Sequence, residues 1–202
     1  MRAPLPVFPV AACLLFAAPP AWAHGPPPGI GGFMFGLQTP FILIEQVLAT
    51  LALGLLLGAQ PHGVLKFAGL AYLCALLLAL GTLEFIRYPV RLIIPVLSAG
   101  ALIGLWIAIA RPVPRGLAVM IAASLGIMIG LAYVPPPNHW LQIIPMTAGA
   151  YGCLVLLLTA AGGVAALLHA PRKSLWPAVG LRVLGSWLAA VALFMLALWA
   201  RG

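Results

Sequence analysis

The sequence predicts an all-α integral membrane protein, a bundle of six transmembrane helices behind a cleaved signal peptide. Three observations predict it. Hydrophobic residues make up 64% of the 202 residues and Asp, Glu, Lys and Arg only 6%, against roughly 25% charged in a soluble domain. The mean hydropathy is +1.18, too apolar to furnish a water-facing surface. Six apolar runs of about 20 residues, the length that crosses a bilayer, follow one another along the chain.

The first element is the leader. Met1 to Ala23 carries Arg2, an apolar stretch from Val7 to Ala18, and Ala21-Trp22-Ala23 as an A-x-A cleavage site. Val10-Ala11-Ala12-Cys13 superficially matches a lipoprotein box, but too little apolar sequence precedes it, and Pro9, Pro19 and Pro20 interrupt any uncleaved anchor. Cleavage leaves His24 as the mature N-terminus. Residues 24–202 then form one transmembrane domain.

The expected spans are 40–59, 65–85, 92–110, 116–134, 143–168 and 178–200. Between them lie Gln60-Pro61-His62-Gly63, Arg87-Tyr88-Pro89, Arg111-Pro112-Val113-Pro114-Arg115, Pro135-Pro136-Pro137-Asn138-His139 and Pro171-Arg172-Lys173-Ser174, segments rich in helix-breaking and charged residues. Lipid offers the backbone no hydrogen-bond partners, so the spans are helices. With His24 outside, Lys66, Arg111, Arg115, Arg172, Lys173 and Arg182 fall on the cytoplasmic side and outnumber Arg87, Arg91 and Arg201 outside, as the positive-inside bias requires. Both mature termini are then external.

The net charge of +8 comes from cations scattered between apolar runs. That pattern sets topology and argues against nucleic acid as a partner. Three cysteines, Cys13, Cys74 and Cys153, have neither disulfide nor metal spacing.

Small residues mark helix contacts in membranes. Gly54/Gly58, Gly100/Gly104 and Gly126/Gly130 each form G-x-x-x-G on a different span. On the first span Thr39, Gln46, Thr50, Gly54 and Gly58 follow seven- and four-residue steps along one helix face, polar at its outer end and small at its inner end. The stripe fits a packing seam and a functional cavity alike.

Charges within spans are costly and need a reason. Arg182 reads as a snorkelling side chain at the inner end of the last span. Glu84 with Arg87, one turn on, reads as an interfacial ion pair. Glu45 has Gln46 beside it and no cation within reach on its own helix, so it marks either a structural or a functional site. His62, His139 and His169 border loops. His24, as a free N-terminus with an imidazole, has the donor set to chelate copper or nickel. Two carboxylates on different spans come without a nucleophile or metal constellation, so enzymatic chemistry is not expected.

Gly36-Leu37-Gln38-Thr39-Pro40-Phe41-Ile42-Leu43-Ile44-Glu45-Gln46 resembles the G-x-x-H-P-x-x-G-x-D-H signature of the HupE/UreJ family, small nickel or cobalt permeases associated with hydrogenase and urease genes. Leu125-Gly126-Ile127-Met128-Ile129-Gly130 sits where that family has H-G-x-A-H-G, Thr159-Ala160-Ala161-Gly162 is similar to its H-A-A-G, and Arg182-Val183-Leu184-Gly185 resembles its R-x-x-G. Gly36, Pro40, Gly126, Gly130, Gly162 and Gly185 match, whereas Thr39, Gln46, Leu125, Ile129 and Thr159 replace histidines and Glu45 replaces an aspartate. The resemblance implies a bacterial inner-membrane protein that transports nickel or cobalt and holds no certain resident cofactor. Its transport path would run by Thr39, Glu45, Gln46, Thr50 and Thr159, with His24 and Glu45 as metal donors. Oxygen donors would shift such a site toward harder cations or protons. Without the imidazoles, a non-transporting accessory protein that assists assembly of a metalloenzyme or envelope complex is the alternative. The bilayer is the first partner, with a second copy or another membrane protein beside it.

Overall fold

The computed structural model describes residues 31–61, 63–82, 92–133, 140–169 and 176–201. The leader with Cys13, and His24, His62, Glu84, Arg87, Arg91, His139, Arg172 and Lys173, lie outside the described residues.

Among the described residues seven helices follow in order: α1 (Gly32–Ile42), α2 (Ile44–Gly58), α3 (Val64–Thr82), α4 (Ile93–Ile109), α5 (Arg115–Ala132), α6 (Trp140–His169) and α7 (Trp176–Trp199). There is no strand among the described residues. α3, α5, α6 and α7 are long and apolar enough to cross a membrane, and α1 with α2 counts as a fifth crossing if the bent pair is one span. α4 is a shorter apolar helix of 17 residues, about 26 Å long at about 1.5 Å per residue.

The expected first span, 40–59, is not one continuous helix. It breaks at Leu43, and the two halves meet at 81°. Pro40 has no N–H to donate to the Gly36 carbonyl, which weakens α1 near its end. Leu43 leaves the helical region (φ −97°, ψ 70°), donates its N–H to the Thr39 carbonyl, and accepts from Gln46 N–H at the start of α2. Residues 32–39, ahead of the expected span, are helical as well.

α2 is the centre of the bundle. It packs chiefly on α6 and α4, while α3 pairs with α5, α4 with α7, and α1 lies across α6. These contacts occur at glycines. A methyl group on Gly54 would stand 2.5 Å from the Leu158 carbonyl oxygen. One on Gly58 would collide with the Gly162 backbone, and one on Gly36 with that of Met146. Gly100 abuts Ala49, Gly104 meets Gly185 and Ala189, and Gly126 and Gly130 receive Tyr72, Ala75 and Ala79 of α3.

Large apolar side chains cover the outside, among them Phe41, Leu78, Met120, Leu156 and Phe194. An apolar exterior around a tightly packed core is what a lipid solvent requires. The protein is embedded in a membrane.

Candidate functional site

Among the described residues Glu45, Gln46, Thr50 and Thr147 are polar or charged side chains buried inside the bundle. Glu45 and Gln46 stand in the first turn of α2, immediately after the break, and are 9% and 1% exposed. Thr50, one turn deeper, is fully buried, and its hydroxyl lies 2.9 Å from the hydroxyl of Tyr72 on α3. The helix that resumes after an 81° break sets two side chains of its first turn, Glu45 and Gln46, in the interior. Interrupted backbone of this kind is stable at membrane depth only where protein or a cavity surrounds it.

From Thr50 the polar string continues through side chains that sequence reasoning missed. Tyr151 of α6 is buried in the same core cluster as Tyr72. Its ring meets that of Tyr133, at the end of α5, edge to face with centroids 5.8 Å apart. Thr147, one turn before Tyr151 on α6, lies next to Tyr133 without reaching hydrogen-bond geometry. Tyr133, Tyr151, Thr147 and the Gln46 amide nitrogen are buried polar groups with no hydrogen-bond partner among the described residues. Each such group costs about 1–3 kcal/mol while unpaired. The available signal was that three of the chain's four tyrosines lie in or at the ends of apolar runs.

The predicted path residues divide. Gln46 and Thr50 face the core along α2 and join this string, with Glu45 buried beside them and no ion-pair partner among the described residues. Thr39 does not share their face. The break at Leu43 places it on α1, where its hydroxyl donates to the Phe35 carbonyl at 3.0 Å. Thr159 is also apart, exposed on α6 and donating to the Val155 and Leu156 carbonyls of its own helix at 2.9 and 3.0 Å. Its hydroxyl is therefore satisfied locally, as threonines in membrane helices often are.

Leu125 and Ile129, at the other motif positions, are buried core side chains of α5, beside Gly126 and Gly130, which meet α3. Among the described residues no three His, Cys, Asp or Glu side chains come together. The donors on offer are oxygens of carboxylate, amide, hydroxyl and phenol, which suit hard cations better than imidazole-seeking ones. Arg182 reaches across to α4, where its Nε donates to the Ala108 carbonyl at 2.9 Å.

No curated protein and no solved structure matches the chain. The family model described as HupE / UreJ protein matches residues 11–195. That match covers nearly all of the chain. The chain belongs to the HupE/UreJ family.

Proposed function

We propose that this HupE/UreJ member is a permease for a metal cation, nickel or cobalt or a harder cation that oxygen donors prefer, and that the cation passes an oxygen-lined site at the head of α2. The observation that carries the reading is the buried group Glu45, Gln46, Thr50 and Tyr72 at an interrupted helix. Broken helices form the substrate sites of many secondary transporters, because the break exposes backbone and first-turn groups at depth. Glu45 supplies the charge that compensates a cation leaving water. In this reading α1 and α2 form one broken crossing and α4 a short one, which makes six. The leader is cleaved before His24, both mature termini face outward, and the host membrane is the bacterial inner membrane. Uptake of radioactive nickel by cells expressing the protein tests the proposal. Wild-type cells should exceed empty cells, and Glu45→Ala should return uptake to the empty-cell level. Equal uptake in all three contradicts it.

A second reading, an accessory protein that helps assemble a metalloenzyme or envelope complex, draws support from Leu125 and Ile129, whose side chains are packing hydrocarbon at two motif positions. Co-purification in mild detergent separates the two. A stoichiometric foreign subunit favours assembly, whereas a clean monomer or self-oligomer counts against it.

A further inference from the structure

At the opposite end of α2 from Glu45, the bundle has a second polar feature that the transport reading does not use. A cavity of about 310 Å³ opens there, with Gln60, Trp106, Arg111, His169 and Arg182 among its lining residues. Four segments converge on it: the end of α2, the end of α4 with the linker that follows, the end of α6 and the start of α7.

The local hydrogen bonds build the cavity wall. Gln60 accepts from the Val113 N–H at 2.9 Å and donates to the Leu56 carbonyl at 3.1 Å, tying the end of α2 to the α4–α5 linker. Trp106 Nε1 donates to the Arg111 carbonyl at 3.2 Å. Ala110, with φ +58°, turns the chain sharply into that linker. Arg182 is held through Nε by the Ala108 carbonyl, which leaves its two terminal amino groups for a ligand.

The charge balance then asks for an anion. The whole chain has two acidic residues against ten Lys and Arg. Glu45 is the one carboxylate among the described residues, and it stands about 21 Å from Ala59 along α2. Helix dipoles offset part of this charge: α2, α4 and α6 end at the cavity and α7 begins there, so the terminal half-charges leave about −1 against the two guanidiniums. Lys66 and Arg115, in the first turns of α3 and α5, add to the positive field. Two guanidiniums on one cavity match the forked geometry of phosphate oxygens.

We infer that this cavity binds a phosphate group, carried by an anionic phospholipid headgroup or supplied as free phosphate, with Arg111 and Arg182 as its principal ligands and His169 and Gln60 beside them. Basic pockets between membrane helices hold lipid headgroups by this chemistry.

The test titrates the full-length protein in neutral detergent with short-chain phosphatidylglycerol, short-chain phosphatidylcholine and inorganic phosphate, and counts bound ligand by native mass spectrometry. Phosphatidylglycerol should bind in preference to phosphatidylcholine, about fivefold more weakly in Arg111→Gln and in Arg182→Gln, the loss expected for one cation. Binding of inorganic phosphate with the same arginine dependence supports the site and identifies a soluble source. Arg111→Gln leaves the Arg182–Ala108 bond in place, so it decides the matter if Arg182→Gln fails to fold. The inference is overturned if neither anion binds above phosphatidylcholine, or if the variants bind as wild type does.

Discussion

Thr50 and Tyr72 form the one hydrogen bond between side chains of different helices inside this bundle among the described residues. Their two sides are not equivalent. A threonine that loses its partner can turn its hydroxyl back to the carbonyl one turn earlier on its own helix. A phenol at the end of a rigid ring has no such recourse. Thr50→Val should therefore destabilise the protein more than Tyr72→Phe does. A double-mutant cycle of unfolding in detergent should give a coupling of about 0.6 kcal/mol, with about 1.7 as the upper range seen in membrane proteins. A larger loss for Tyr72→Phe than for Thr50→Val would mean that the phenol has another role, such as direct contact with the cargo. Glu45 belongs to the same scale. Its isolation from cations was legible in the sequence, because no Lys or Arg lies between Arg2 and Lys66. The tyrosines were not legible, since each contributes to the string only through partners on other helices.

At the scale of the element, the bundle is held by backbone approach. Gly54 is the clearest case, with a methyl group there only 2.5 Å from a carbonyl oxygen and 2.8 Å from the Ala161 methyl. Gly54→Ala should force α2 and α6 apart, at a cost of about 1–3 kcal/mol. Gly152, on the same α6, has open space where a methyl would stand. Gly152→Ala should be neutral or stabilising, by up to about 1 kcal/mol from helix propensity alone. Thermal unfolding of both variants in one detergent checks the contrast, and equal destabilisation would count against packing as the cause.

The sequence marks most helix ends to within a few residues, because Pro, Gly and charged clusters interrupt long apolar runs. It does not mark the break at Leu43. Apolar residues surround that position, and the signal is a proline three residues earlier whose effect depends on how α1 is held against α6. Thr39 was assigned to the α2 face for that reason. Thr159 was assigned to the path through a motif position, yet its helix turns it outward, and no local pattern in 155–160 distinguishes the two faces by polarity.

For the molecule as a whole, the membrane class and the family were legible from composition and from the order of the glycine motifs. The cavity at the far end of α2 was not, since it needs α4, α6 and α7 to converge. The proposed topology gives a separate prediction. A C-terminal alkaline phosphatase fusion should be active and a C-terminal green fluorescent protein fusion dark, because both mature termini are placed outside. The reverse pattern would require an odd number of crossings or an inverted bundle. Amino-terminal sequencing of the purified protein should begin at His24, whereas a sequence starting at Met1 would contradict leader cleavage.

The central claim is that this chain alone moves a metal cation through the oxygen-lined head of α2. Purified protein in vesicles that enclose a nickel-sensitive dye tests it without any partner. The account predicts that external nickel quenches the dye faster with wild-type protein than in protein-free vesicles, and that Glu45→Ala removes the difference. Wild-type vesicles that respond no faster than protein-free ones would contradict transport and leave the assembly role as the better reading.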